Sequence, residues 1–242
     1  MPEGSAPTGS LLDVRELVAG YGKLVVVRGV SFQVDPGTTT LILGLNGAGK
    51  TTTLKAIAGI IRPMGGRIVF DGRDITFTPA HERARMGLIM ITDNPIFPDM
   101  SVADNIRLAA SPRHYSSDEK AVSEALNYFP ELRKMASARA SALSGGQRKM
   151  LAMAMAMVSR PRLLLLDEPS TGLSPVMVSK IVSYVADLKK MGITILLAEQ
   201  NPSFIEVADY VMVMDMGRVK LYGRAEEVGK LEEVRRTFFQ VT

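Results

Sequence analysis

Eight consecutive residues, Gly44-Leu45-Asn46-Gly47-Ala48-Gly49-Lys50-Thr51, constrain this chain more than any other feature. They satisfy the spacing G-x-x-x-x-G-K-[ST], and they lie between an apolar run, Thr40 to Leu43, and a helical stretch, Thr52 to Ile60. A glycine-rich turn alone would account for the glycines but not for a strand before them and a helix after. Glycine lets the backbone wrap closely, so that successive N–H groups and the N-terminus of the next helix face one negative charge. The run therefore predicts a phosphate-binding loop reaching as far as Thr52. Lys50 is expected to bridge β- and γ-phosphates, and Thr51 to offer its hydroxyl to Mg²⁺.

Around this loop the hydrophobic pattern has two periods. Leu11 to Leu17, Val30 to Val34 and Arg67 to Phe70 alternate or follow a Gly65-Gly66 turn, which reads as short antiparallel strands. Leu41 to Leu43, Leu163 to Leu166 and Thr194 to Ala198 are continuous, as expected of strands buried on both faces. Between Met100 and Leu143 the pattern turns helical, with Asp118 and Glu119 near one helix start and Pro112 and Pro130 as breakers. Further helices are predicted from Ser144 to Val158 and from Val176 to Met191, the latter stopped by Gly192. No repeat of 20–50 residues is present, which excludes a solenoid. The expectation is a mixed α/β core carrying a helical insertion.

Composition narrows the chemistry. With no cysteine among 242 residues, disulfides, thiolate metal sites and cysteine nucleophiles are all excluded. A core large enough to fold without such staples is expected at this length. The longest apolar run, Met150 to Val158, is far short of the roughly 20 residues needed to span a bilayer. The first ten residues, MPEGSAPTGS, have neither a basic region nor an apolar one and read as a loose tail, and the length allows between one and two domains. The formal charge of +4 is small, and its basic clusters, such as Arg83 with Arg85, are short; an anionic ligand explains it as well as a nucleic acid would.

Two further motifs carry chemistry. Leu163 to Leu166 ends in Asp167-Glu168-Pro169, so a rigid apolar strand would deliver Asp167 to a Mg²⁺ and leave Glu168 to orient or deprotonate water. Apolar strands also end in polar turns for no chemical reason, and it is the upstream phosphate loop that favours the functional reading. Leu143-Ser144-Gly145-Gly146-Gln147 begins a helix, which suits either a second anion site or a simple Ser N-cap with turn glycines.

At this point the chain resembles the ATP-binding cassette (ABC) ATPases, from about Leu12 to the C-terminus and with the motifs in family order. The resemblance implies that 11–242 form a single α/β P-loop cassette domain: a core with a mixed or parallel sheet and an antiparallel β subdomain over about 11–91 and 159–242, and a helical subdomain over about 92–158. It implies ATP and Mg²⁺ as ligands, and two cassettes closing head to tail. Each ATP would then lie between the phosphate loop of one cassette and Ser144, Gly145, Gly146 and Gln147 of the other. Tyr21 matches the aromatic that stacks on adenine, though a core tyrosine at a strand end is the plain alternative. Ser170 to Ser174 matches the loop through which cassettes communicate.

The same resemblance exposes two departures. Where many relatives carry a Mg²⁺-touching glutamine, alignment on Ile96-Phe97-Pro98 puts Thr92, with Asp93 beside it. Where many carry a switch histidine, Glu199-Gln200-Asn201 puts Gln200, which can hydrogen-bond a γ-phosphate but cannot carry a proton. Slow turnover is the expectation. The Glu-Gln-Asn triplet, with Ile96-Phe97-Pro98 and Ser159-Arg160-Pro161, is similar to the LivF-type ATPases of branched-chain amino-acid importers. That likeness implies a cytoplasmic subunit on the inner face of the membrane, a second non-identical ATPase or a second copy of this chain, two transmembrane permease subunits and, indirectly, a solute-binding protein. Urea, amide or lipid-linked cargo is the alternative. An ABC ATPase acting on nucleic acid usually has two cassettes or a long coiled coil in one chain, which disfavours that partner here.

Blander features complete the reading. Met150, Met153 and Met157 share one helical face and are expected in the core. Met86, Ile96, Phe97 and Met100 flank the helical insertion and form either a docking groove for a membrane partner or the core of a folded-in loop. His81 and His114 read as surface residues, and Leu231, Val234 and Phe238 as a small amphipathic helix.

Overall fold

The computed structural model describes residues 9–92, 96–110 and 116–239. Most of the tail read at residues 1–10, together with Asp93, Pro112 and His114, lies outside the described residues. In chain order the elements are β1 (Leu12–Tyr21), β2 (Leu24–Val34), β3 (Thr39–Leu43), α1 (Lys50–Ala58), β4 (Gly65–Phe70), β5 (Arg73–Asp74), α2 (Ala80–Arg85) and β6 (Leu88–Ile91). Then follow α3 (Val102–Ala109), α4 (Asp118–Tyr128), α5 (Pro130–Arg133), α6 (Gly145–Ser159), β7 (Leu163–Asp167) and α7 (Pro175–Lys190). The chain continues through β8 (Thr194–Glu199), β9 (Tyr210–Asp215), β10 (Arg218–Arg224), α8 (Ala225–Val228) and α9 (Glu232–Phe239).

The two hydrophobic periods build two sheets. An antiparallel sheet has the order β2-β1-β4-β5, and a mixed sheet has the order β10-β9-β3-β8-β7-β6. In β1 the buried residues are Leu12 and Val14, then Leu17 and Ala19, so their parity changes along the strand. A register shift between Val14 and Leu17 is the reason. The bulge centres on Glu16, at φ 46°, whose backbone N–H donates to Ser31 Oγ while Ser31 Oγ donates to the Glu16 carboxylate. Because of the bulge, both halves of the strand turn their apolar side chains to one core.

In the mixed sheet β3, β6, β7, β8 and β9 are parallel, with β10 antiparallel at one edge. Successive residues of a strand point to opposite faces. Leu41, Leu43, Leu164, Leu166, Ile195 and Leu197 therefore enter a cluster with α6 and α7, while Ile42, Leu163, Leu165 and Leu196 enter another with α1 and the antiparallel sheet. Met150, Met153 and Met157 are buried in the first cluster, as their helical spacing predicts. α6 also packs against α3, α4 and α5, which ties the helical part of the chain to one face of the sheet. Within α9 Val234 is buried and Phe238 packs against the same cluster, while Leu231, expected in that amphipathic helix, precedes it and is exposed.

Arg83, one of the short basic cluster, is buried: it is 1% exposed, and its guanidinium donates to the carbonyls of Ala56, Ile57, Thr76 and Thr78. A cation at the last turn of α1 answers the carbonyl end of the helix dipole, and burial pulls the Arg83 pKa down to about 10. Met86, Ile96, Phe97 and Met100, expected as either a docking groove or the core of a folded-in loop, are divided between two sides. Met86 packs on the cluster under α1, whereas Ile96 is buried in the cluster beside α3 and α6. Only Phe97, 49% exposed, stands out as a large hydrophobic side chain of the four. Buried Asn105 holds it there by accepting from Phe97 N at 2.7 Å and donating to Phe97 O at 3.0 Å.

Candidate nucleotide site

The parallel strands deliver the chemistry to one edge. Register pairs Leu43 with Glu199, Asp167 with Ala198 and Ile91 with Leu166. The residues just beyond these pairs, Gly44, Gln200, Glu168 and Thr92, therefore leave four adjacent strands at their C-terminal ends. Ligands of open α/β sheets bind in that position.

The phosphate loop is shaped by close backbone approach. A β-carbon on Gly44 would come within 2.7 Å of the Met214 carbonyl oxygen, so the loop lies flush against β9. Gly49 takes φ 101° as N-cap of α1, a conformation open to glycine, and no acidic residue occupies the first helical turn. The helix N-terminus thus keeps its amides and its positive dipole end for an anion. Ala48 O accepts from Gly217 N at 3.0 Å, so the β9–β10 turn buttresses the loop from outside.

Two side-chain pairs join the loop to β7. Thr51 Oγ1 donates to Asp167 Oδ1 at 2.8 Å. Lys50, 3% exposed, places its ammonium 2.8 Å from Gly44 O, 3.1 Å from Leu45 O and 3.0 Å from Glu168 Oε1, which accounts for all three donors. Glu168 sits at φ 45°, a backbone conformation uncommon outside glycine, and its Oε2 accepts from Thr171 Oγ1. A hydroxyl and a carboxylate in contact form an all-oxygen donor set beside an anion-binding helix end, and that set fits Mg²⁺ held largely through phosphates.

Other predicted residues stand apart from these contacts. Ser144 caps α6: its Oγ accepts from Gln147 N, and Gln147 Oε1 accepts from Ser144 N, a reciprocal capping box at an exposed helix end. Gly145 is exposed, and Gly146 backs onto Met177 of α7. Tyr21 is 46% exposed at the tip of the β1–β2 hairpin, which favours a ring open to a ligand over a core tyrosine.

Glu199 is the site residue that sequence reading passed over. It ends β8, is 2% exposed, and accepts from Ser170 N at 2.8 Å, Gln200 N at 3.0 Å and Asn201 N at 3.2 Å. Burial pushes its carboxyl above the usual carboxylate range, against the pull of these amides. Its sequence signals are an acidic residue closing the apolar run Thr194 to Ala198 and a place in the Glu199-Gln200-Asn201 triplet, neither of which gave it a role.

Comparison with known proteins agrees with this geometry. The family profile described as ABC transporter matches residues 27–171. The lipopolysaccharide export system ATP-binding protein LptB of Acidithiobacillus ferridurans is 36% identical over 236 residues, 94% of this chain and 96% of its own length. The probable branched-chain amino acid transport ATP-binding protein LivF of Archaeoglobus fulgidus is 36% identical over 226 residues, 90% of this chain and 94% of its own. The solved ADP conformation of an ATP-binding cassette of an ABC transporter superimposes with a TM-score of 0.80 at 29% identity, covering 95% of this chain and 97% of that one. With an α/β cassette fold, a phosphate loop joined to a carboxylate strand, and relatives of this kind along nearly its whole length, the chain belongs to the ABC transporter family as an ATP-hydrolysing, ATP-binding subunit.

Proposed function

We propose that this subunit powers import of a small solute, a branched-chain or other hydrophobic amino acid, through separate membrane subunits. The observation that carries its role as a motor is the pairing of Lys50 with Glu168 and of Thr51 with Asp167 at the strand ends. Residues 11–242 act as one cassette, with 92–158 as its helical part. The amides of Gly44 to Thr52 and the Lys50 ammonium hold the phosphates, and Tyr21 stacks on adenine. Thr51 and Asp167, with Thr92 nearby, hold Mg²⁺, which neutralises phosphate charge when bound. Glu168 positions and deprotonates the attacking water once it leaves Lys50, and Gln200 donates a hydrogen bond to the γ-phosphate.

Ser144, Gly145, Gly146 and Gln147 act on the ATP of a head-to-tail partner, a second non-identical ATPase or another copy of this chain. Among the described residues no helix is long and apolar enough to cross a membrane. Attachment at the inner face of the membrane therefore falls to two permease subunits, which receive cargo from a solute-binding protein. Exposed Phe97 is their contact. No nucleic-acid partner is needed to explain a charge of +4.

The amino-acid reading draws on the likeness to LivF and on the Glu199-Gln200-Asn201 triplet. A second reading, export of a lipid-linked cargo, draws on the equal identity to LptB. Co-purification from membranes, followed by reconstitution with labelled leucine, separates them. ATP-dependent leucine uptake, with association lost in Phe97→Glu, is the expected result. Recovery with lipid-extracting membrane subunits and no leucine uptake would replace import by export.

A further inference from the structure

Glu199 joins three loops at the C-terminal edge of the mixed sheet. Its backbone carbonyl accepts from Gly44 N at 3.2 Å, at the first residue of the phosphate loop. Its carboxylate divides between the other two, with Oε1 on Ser170 N in the loop after Glu168 and Oε2 on the amides of Gln200 and Asn201. The adjacent Ala198 O accepts from Glu168 N at 2.9 Å. A carboxylate suits this place because both oxygens only accept, and they face three backbone N–H donors together with the Ser170 hydroxyl. An amide in its place would set an NH₂ against an N–H on one side or the other, so one of the two loops would be released.

We propose that Glu199 is a positioning residue, which sets Gln200 relative to Glu168 by clamping the Ser170 loop and the Gln200 turn to a single side chain. The inference rests on the reading of Glu168 and Gln200 as the groups at the γ-phosphate. Glu199 touches no reacting atom. Its influence falls on the geometry of the transition state and not on ATP binding, because the phosphate loop is held through the Glu199 backbone, which a substitution leaves in place.

The test is ATP hydrolysis by the full chain, isolated from membranes with its associated subunits, for the wild type, Glu199→Gln, Gln200→Ala and the double variant. Glu199→Gln is expected to lower kcat about tenfold or more while KM for ATP stays within about twofold. The double variant should then be no slower than Gln200→Ala by more than about twofold, because the clamp acts through Gln200. Unchanged kcat in Glu199→Gln, a matching rise in KM, or losses that multiply in the double variant would overturn the proposal. If Glu199→Gln does not fold, Glu199→Asp keeps the charge and both acceptors one methylene short, and the same kcat-over-KM pattern is expected with a smaller loss. Glu168→Gln and Gln200→Ala with full activity would instead overturn the site reading beneath it, an outcome that the Glu199 variant alone does not produce.

Discussion

Replacing Thr51 by Val removes one hydroxyl and almost no volume, so its effects isolate the bond to Asp167. That bond runs 2.8 Å from Thr51 Oγ1 to a carboxylate oxygen, with both residues half-buried. Hydrogen bonds to charged groups contribute about 1.5–3 kcal/mol, and partial access of water to Asp167 puts this one at the low end, about 1.5 kcal/mol. For a chain of this size that is a fall in Tm of about 3–6 °C. The urea midpoint should drop with its slope unchanged, since the same surface is exposed on unfolding. The same hydroxyl is also proposed as a Mg²⁺ ligand, and its loss should raise the Mg²⁺ concentration for half-maximal hydrolysis about tenfold, equivalent to about 1.4 kcal/mol. Thr51→Ser keeps the oxygen and should restore both properties. A Val variant that loses stability but keeps the wild-type Mg²⁺ dependence would refute the metal role and leave the hydroxyl a purely structural donor.

Three further outcomes follow from the same contacts. Lys50→Ala should weaken ATP binding and abolish hydrolysis, whereas Glu168→Gln should bind ATP and fail to turn it over; equilibrium binding beside phosphate release distinguishes them. Arg83→Met keeps the apolar stem but leaves the Ile57, Thr76 and Thr78 carbonyls without the guanidinium, and chemical denaturation should show a loss of about 3 kcal/mol. Glu199 has its carboxyl raised by burial, so the folded protein holds that proton more tightly than the unfolded chain does. Stability from this group is greatest below the unfolded value and falls as pH rises through the folded one. The wild type should therefore gain on Glu199→Gln as the pH drops toward the carboxylate range, and parallel stability curves for the two proteins would contradict this.

Much of the architecture was legible in the order of residues. Continuous runs such as Leu163 to Leu166 are affordable only where both faces of a strand are covered, and these runs form the centre of the mixed sheet. Ser144 followed three residues later by Gln147 specifies a helix start through bonds that span a single turn. The glycines and Lys50 of the phosphate loop are local in the same sense, since the loop's curvature and its helix end are written within nine residues. Phosphate chemistry could be inferred from that segment alone.

Other features depend on contacts between residues far apart in the chain, to which a sequence pattern is blind. Asp167 meets Thr51 across 116 positions, and Glu199 meets Ser170 across 29, because parallel strands bring distant C-terminal ends to one edge. Arginine is usually exposed, yet Arg83 finds four carbonyls that are collected only when α2 and the segment before it pack against α1. The bulge at Glu16 and the division of Met86 from Ile96 likewise follow from register and layer, not from spacing. Local backbone preference and periodicity, which act over a turn or a strand, let the sequence by itself determine the elements, the phosphate loop and the family. The tertiary structure alone decided which carboxylate faces which hydroxyl, because long-range contacts form only when the whole sheet closes.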